Sequence, residues 1–175
     1  MRKLLAVVVL AVAFCMNVAS AQEVDNDKVH QLAVAISQAE GFGVKGAVPT
    51  RYHNPGDIRT FRPGVHYPGQ VGINRQSYVI FRNDKAGFAA LENNLRMIVT
   101  GQSSYYGADM TINRMARLYA TKWRIWAKNV AKNLDVPPTT KLATLLLLTP
   151  PEIPIQPTNL SISLMSDPVI PVLAP

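Results

Sequence analysis

Cysteine is almost missing from this chain: Cys15 is the single one among 175 residues, and it lies in an apolar N-terminal segment that we expect to be removed. The remaining protein would contain no thiol. Disulfide bonds and cysteine-ligated metals are therefore excluded, and stability must come from packing.

Other signatures of cofactor and nucleotide sites are also missing. The three histidines, His30, His53 and His66, lack the paired spacing of a zinc site, so we expect no metal and no cofactor. The chain has no Gly-x-Ser-x-Gly elbow, so a serine hydrolase has no support. Residues 41–46 are rich in glycine but follow a helix pattern, whereas a phosphate-binding loop joins a strand to a helix.

Acidic residues are fewer than basic ones, 11 against 18, which gives a formal charge of +7. A basic protein favours anionic partners, and nucleic acid is the obvious one. The basic residues are dispersed and no recognisable nucleic-acid motif occurs, so we expect no nucleic acid partner. An anionic polymer such as a cell wall fits the charge of an exported protein better.

The N-terminal segment, residues 1–21, has the pattern of a signal peptide. Arg2 and Lys3 precede an apolar run over residues 4–16, and Ala19-Ser20-Ala21 supplies the small residues of a cleavage site before Gln22. An apolar run of about 13 residues is shorter than the roughly 20 that a membrane span needs. We therefore expect a periplasmic or extracellular protein without stable membrane insertion after cleavage. Its charge falls to +5 because two cations are lost.

Cys15 raises the alternative of a lipoprotein, but bulky Phe14 stands where a small residue normally precedes a lipidated cysteine.

The first helix pattern ends in an acid. Val29, Leu32 and Ile36 lie on one apolar stripe, Asp25 is a candidate N-cap, and a glycine follows Glu40 to end the helix. The negative end of the helix dipole and partial burial both disfavour the Glu40 anion, which would raise its pKa and suit a general acid. The simpler alternative is a glutamate on the surface at a helix end.

The rest of the chain predicts a mainly α, α+β domain. Residues 42–75 form a structured loop or small hairpin region with extended segments near 57–61 and 72–73, and residues 77–81 form a strand. Helices are predicted over residues 86–100 after an Asp84 cap, from Thr111, from Trp123 to Leu134, and over a short stretch within 139–148. Trp123 and Trp126 have the helical spacing of core residues.

Prolines interrupt the chain repeatedly from residue 149 to 175, so we expect an extended tail there. The tail still contains isoleucine, leucine and valine, so binding of the tail to a protein partner is one alternative.

Several short motifs in this order resemble the lysozyme-like superfamily, closest to bacterial and phage transglycosylase-like domains. They cover about residues 28–140: Glu40-Gly41-Phe42, Asn54-Pro55-Gly56-Asp57-Ile58-Arg59, Tyr78-Val79-Ile80-Phe81, Gly87-Phe88-Ala89-Ala90-Leu91, Tyr119-Ala120 and Trp126-Ala127-Lys128-Asn129-Val130.

The resemblance implies a lysozyme-like helical domain over residues 22–148, with a small β-hairpin region beside the active-site cleft. It implies that Glu40 is the catalytic acid that protonates the glycosidic oxygen between N-acetylmuramic acid and N-acetylglucosamine in peptidoglycan. Substrate-binding residues are expected in and around the polar turn and in a later helix, at Tyr52, His53, Asn54, Gly56, Asp57 and Tyr119.

The sequence offers one candidate for a second catalytic acid. Glycosidases commonly use two carboxylates, and Asp57 is the best second candidate. An aspartate after Pro55-Gly56 often serves only to bond its own turn. Resemblance to lytic transglycosylases offers a route with one acid, in which the acetamido group and a hydroxyl of the substrate replace nucleophile and water.

Three functions remain open at this point. The first is an exported lytic transglycosylase or muramidase. The second is a non-catalytic glycan-binding or scaffold protein with a lysozyme-like fold, since fold alone does not establish activity. The third is a chitinase-like hydrolase acting on N-acetylglucosamine polymers.

Overall fold

The computed structural model describes residues 23–60, 64 and 66–148 of the chain. The predicted signal peptide, residues 1–21, and the proline-rich tail, residues 149–175, lie outside the described residues. Phe61, at the end of one predicted extended segment, does so as well.

Six helices and one small sheet make up the described part of the chain, so the predicted α+β class is confirmed at that level. The helices are α1 Asn26–Ala39, α2 Val48–Arg51, α3 Asp84–Val99, α4 Ile112–Tyr119, α5 Trp123–Asn133 and α6 Leu142–Leu146. The strands are β1 Gln70–Ile73 and β2 Val79–Phe81.

Helix α1 is at the centre of the core and packs against α3, α5 and α6. The apolar stripe predicted from the sequence is the face that is buried: Val29 and Ile36 have no exposed surface and Leu32 has 1%. Val130 of α5 and Leu142 and Leu146 of α6 complete the same core without any exposed surface. Burial of these side chains fixes α1, and with it the residue at its C-terminal end.

The sheet is a two-stranded antiparallel hairpin. Gln70 pairs with Phe81 and Ile73 with Val79, with an irregularity between Gln70 and Gly72. An isolated bridge between Arg59 and Tyr78 extends the pairing toward the polar turn. The predicted strand at 77–81 is present but shorter, and residues 72–73 are extended as predicted.

The two ends of the described domain meet. The Asp25 amide donates to the Leu146 carbonyl at 2.8 Å, and the Leu148 amide donates to the Glu23 carbonyl at 2.8 Å. These bonds join the start of α1 to the end of α6. Within the described ranges, no helix has the length and apolar character needed to cross a membrane.

The helix caps agree with the sequence at two helices and differ at a third. Asp25 caps α1 through its side chain, and Thr111 caps α4 by accepting from the Arg114 amide. At α3 the prediction of Asp84 as cap is wrong: the Asn83 side chain accepts from the Ala86 amide, and Asp84 is the first helical residue. Both residue types cap helices well, so the sequence alone did not separate two neighbours. The short helix α2 was not predicted.

The polar turn, defined as residues 54–59, lies directly on α3 because Gly87 has no side chain. A Cβ at this position would lie 1.9 Å from the His53 carbonyl oxygen and 2.6 Å from Pro55 Cδ. No other residue permits this approach, so Gly87 sets the distance between the turn and the helix.

We predict that Gly87→Ala destabilises the protein. The backbone carbonyl of His53 cannot move away as a flexible side chain would, so the clash should lower the free energy of unfolding by at least about 2 kcal/mol. This exceeds the roughly 1 kcal/mol by which alanine normally stabilises a helix relative to glycine. Urea denaturation measures the change. Gly72→Ala is the matched control, since its Cβ meets only Ile80 Cδ1 at 3.7 Å. Equal stability of Gly87→Ala and wild type would contradict this packing.

Candidate active site

Glu40 is held at the C-terminal end of α1 by backbone bonding. It is the C-cap residue, and its amide donates to the Ile36 carbonyl at 3.0 Å. Gly41 follows with φ +79°, the left-handed conformation that ends a helix, as the sequence predicted. The Glu40 side chain is half-buried and does not extend into bulk solvent.

Trp126 of α5 fixes the orientation of the Glu40 carboxyl. Its indole Nε1 donates to Glu40 Oε1 at 2.7 Å, and the residue is only 5% exposed. The prediction that Trp126 belongs to the core is correct, but its contact with Glu40 was not predicted. Helical spacing shows which face a tryptophan occupies. It does not show which acceptor a buried indole N–H will find, although such an acceptor is usually present.

Asp57 brings a second carboxyl to Glu40. The two side chains are in hydrogen-bond contact, which raises the pKa of Glu40 and lowers the pKa of Asp57. Asp57 Oδ1 is buried and finds no partner among the described residues. Asp57 also has φ +45°, a strained backbone conformation for a non-glycine residue. The polar turn thus forces Asp57 toward Glu40.

Burial gives Glu40 an unusual pKa. Loss of solvent around the carboxyl raises the pKa of Glu40 from 4.5 to about 7, the Trp126 hydrogen bond opposes this rise, and the Asp57 charge and hydrogen bond add to it. Burial also raises the pKa of Asp57, while the hydrogen bond with Glu40 and the charge of Arg59 lower it. Glu40 therefore keeps most of its proton up to about pH 7.

Arg59 places a cation beside both carboxyls and lowers the pKa of each. Its guanidinium lies 4.1 Å above the Tyr78 ring and donates to the Tyr78 hydroxyl. The isolated bridge between the same two residues fixes their backbones. Arg59 occurs in the motif that carries the family resemblance, but we did not predict it as a site residue.

Tyr119 supports the site from α4. Its hydroxyl donates to the Gly56 carbonyl, and its ring lies 4.9 Å from the Trp126 ring at 36°. The ring is partly exposed, whereas the hydroxyl is enclosed by protein; burial and then the nearby Glu40 hold the pKa of Tyr119 well above its ordinary value. The hydroxyl therefore stays neutral and serves as a donor.

Asn54 and Gly56, both expected to bind substrate, have structural roles. Asn54 is fully buried, donates to the Ile58 and Val79 carbonyls at 2.9 Å each, and accepts from the Ile58 amide at 2.8 Å. Gly56 allows a close approach, since a Cβ there would lie 2.8 Å from Leu91 Cδ1. The two residues shape the turn that carries Asp57, and neither offers a side-chain group to a ligand.

Tyr52 and His53 make their described contacts away from Glu40. The Arg51 guanidinium lies 5.4 Å from the centre of the Tyr52 ring. His53 has φ +52°, and its Nδ1 is 2.6 Å from Asp84 Oδ1 at the start of α3. Of the six residues predicted to bind substrate, the structure groups Asp57 and Tyr119 around Glu40, with Gly56 joined through its carbonyl.

Two open depressions lie elsewhere on the surface. One, of about 540 Å³, lies between the end of α3 and α6 and is lined by residues that include Val99, Asp109 and Ala143. The other, of about 370 Å³, lies between α1 and the end of α5 and includes His30. We call Glu40 and its neighbours Asp57, Arg59, Tyr119 and Trp126 the Glu40 group. Neither depression includes a residue of this group. Cavity size alone would not identify the site. We assign the site to Glu40 because several titratable groups with shifted pKa values lie together there.

Among the described residues, no group of histidine, cysteine and acidic side chains has the arrangement of a metal site.

We predict that Glu40 titrates with a midpoint near pH 7. Asp57→Asn should lower this midpoint because it removes the neighbouring negative charge and the hydrogen-bonded carboxyl, both of which raise the pKa of Glu40. Trp126→Phe should raise the midpoint because it removes a donor that favours the anion. Carbon-13 NMR of the labelled Glu40 carboxyl measures all three values. A wild-type midpoint near 4.5 would contradict the buried geometry.

Comparison of the chain with protein-family models, with curated proteins and with solved structures gives no match. The resemblance to the lysozyme-like superfamily stays an expectation from the sequence motifs. A functional conclusion must therefore come from the chemistry of the Glu40 group itself.

Proposed function

We propose that this protein is an exported peptidoglycan-cleaving glycosidase, a lytic transglycosylase or muramidase. In this proposal Glu40 acts first as general acid and then as general base on the bond between N-acetylmuramic acid and N-acetylglucosamine. The observation that carries the proposal is the half-buried Glu40 carboxyl, whose pKa burial raises to about 7. A carboxylic acid that stays protonated near neutral pH is what a glycosidic oxygen requires as its proton donor.

In the first step, Glu40 gives its proton to the bridging oxygen. The Trp126 N–H occupies Oε1, which leaves Oε2 to carry the proton. Transfer of this proton forms the hydroxyl of the leaving sugar as the bond from the anomeric carbon to the bridging oxygen breaks. The Glu40 anion that results keeps the Trp126 hydrogen bond and the nearby Arg59 charge, both of which favour it.

The closeness of Asp57 to Glu40 favours a route with one acid. Glycosidases with two acids hold them roughly 5–10 Å apart, so that the sugar lies between them. Carboxyls in hydrogen-bond contact leave no such space. Burial and the neighbouring Asp57 therefore keep Glu40 protonated, and the substrate acetamido group takes the place of a second carboxylate at the anomeric carbon.

In the second step, the Glu40 carboxylate takes a proton from the attacking hydroxyl. If the hydroxyl belongs to the substrate, an anhydro sugar forms; if it belongs to water, a reducing end forms. Either reaction returns the proton to Glu40 and completes the cycle. Half-buried Tyr67 and Tyr106 lie near Tyr119 and offer flat surfaces for a glycan beside the acid.

We predict that Glu40→Gln lowers the rate of cell-wall cleavage by about 100-fold or more, since an amide cannot donate the required proton. Release of soluble fragments from purified peptidoglycan, analysed by mass spectrometry, measures the rate and identifies anhydro or reducing ends. Circular dichroism checks that the fold is kept. Glu23→Gln is the matched control, because Glu23 is exposed.

Two results would contradict the enzymatic assignment. One is an unchanged rate in Glu40→Gln. The other is a wild-type protein that sediments with peptidoglycan and releases no fragment, which would make it a glycan-binding protein.

We also predict a pH dependence of cleavage. Because the acid must be protonated, kcat/KM should fall above about pH 7, by roughly tenfold per pH unit once Glu40 is ionised. In Asp57→Asn the fall should begin at lower pH, since the pKa of Glu40 drops. Asparagine tolerates the left-handed backbone of position 57, so the turn is kept. Identical pH profiles of the two proteins would argue against a role for Asp57 in setting this pKa.

A further inference from the structure

Helices α4 and α5 and the residues between them carry many basic side chains and no acidic one. Between Met110 and Leu134 the chain has six cations and no acid: Arg114, Arg117, Lys122, Arg124, Lys128 and Lys132. This is one third of the basic residues of the protein in about one seventh of its length, so the expectation that the basic residues are dispersed is wrong for this segment. Trp123, predicted as a core residue, is half-buried and packs against the edge of the core. We call the surface formed by these cations, Trp123 and the exposed Leu118 and Ile125 the α4–α5 face.

The cations of this face are available to a partner. All six are exposed, and no ion pair within the described part of the chain involves any of them. The guanidinium groups of Arg117 and Arg124 lie 4.5 and 4.4 Å from the centre of the Trp123 ring. Stacking on the indole orients both groups without neutralising their charge.

Large aliphatic side chains stand among these cations. Leu118 is 57% exposed and Ile125 is 61% exposed. Ile125 is three residues from Lys128 and seven from Lys132, so on α5 these side chains share one face. The surface thus combines positive charge with apolar groups that would gain from leaving water.

We propose that the α4–α5 face binds a membrane surface that contains anionic lipid. A soluble polyanion would be bound by the cations alone and would leave Leu118 and Ile125 in water. A bilayer satisfies both features, because its headgroup phosphates pair with the cations and its acyl boundary accepts the aliphatic side chains. The charge of the face and the exposure of its two aliphatic residues therefore favour a lipid surface.

Membrane binding through this face leaves the Glu40 group free. Successive residues of a helix point about 100° apart, and Trp126, next to Ile125, is only 5% exposed and faces Glu40. The outer side of α5 meets the lipid while the inner side holds the carboxyl. The α4–α5 face is a different surface from the proposed catalytic site, and lipid binding there does not require that activity.

Intrinsic fluorescence reports on this face specifically, because the chain has two tryptophans, Trp123 and Trp126, and both lie in α5. The full chain is titrated with phosphatidylcholine vesicles, with or without phosphatidylglycerol, whose acyl chains are brominated to quench nearby indoles. We expect quenching with the anionic vesicles and little with the zwitterionic ones. Binding through any other part of the chain leaves α5 away from the bromines and does not imitate this signal.

Charge is tested with Lys122→Gln, Lys128→Gln and Lys132→Gln combined. Each cation near an anionic surface contributes roughly fivefold to binding, so the triple variant should need about 100-fold more lipid for half-maximal quenching. The matched control loses the same charge elsewhere, through Gln at three exposed lysines, Lys45, Lys85 and Lys141. Its binding should stay within a few-fold of wild type. Equal loss in both triple variants, or equal quenching by both vesicle types, overturns the proposal.

The aliphatic contribution separates a bilayer from a polyanion. Leu118→Gln with Ile125→Gln should lower the affinity for anionic vesicles at least tenfold. The binding that remains at high salt, where charge is screened, should also decrease. Val44→Gln with Val71→Gln is the control, because both valines are similarly exposed, at 60% and 65%. If the Leu118 and Ile125 double variant binds as wild type does, the face recognises charge alone. A polyanion is then its partner, and the membrane proposal is wrong.

Discussion

The proposed chemistry depends on one interaction: a carboxyl group that the fold keeps partly out of water, in contact with an indole N–H and a second carboxyl. Removing a carboxylate from water is costly, so the neutral acid is the favoured form of Glu40. Trp126 limits this effect by bonding to one oxygen. The balance of burial, donor and neighbouring charge brings the pKa of Glu40 to about 7, where the group can both release and recover a proton.

The surrounding structure keeps Asp57 beside Glu40 at a cost in stability. Asp57 has an unfavourable backbone conformation and an unpartnered buried oxygen, each of which costs stability. A well-bonded framework compensates for this. Asn54 bonds both sides of the polar turn from a fully buried position, and Gly87 lets the turn lie against α3. An acid with an unfavourable backbone conformation inside a well-bonded framework is typical of a functional site.

Helix α5 links the two proposals because its two sides have different chemistry. The inner side buries Trp126 and Val130, stacks on Tyr119 through the indole, and holds Glu40 in place. The outer side exposes Ile125 and the lysines to solvent. A single amphipathic helix can thus position an acid with one face and bind a charged surface with the opposite face.

The sequence by itself determined the helix that carries the acid. The apolar stripe of α1, its Asp25 cap and the glycine after Glu40 are local signals, and local signals decide where a helix begins and ends. The tertiary structure alone decided what Glu40 contacts. Trp126 is 86 residues away in the chain, and the direction of its N–H follows from packing of α5 on α1. Asn54 was expected to bind substrate because a polar turn often does so, yet folding buried it, since its amide satisfies two backbone carbonyls that water cannot reach.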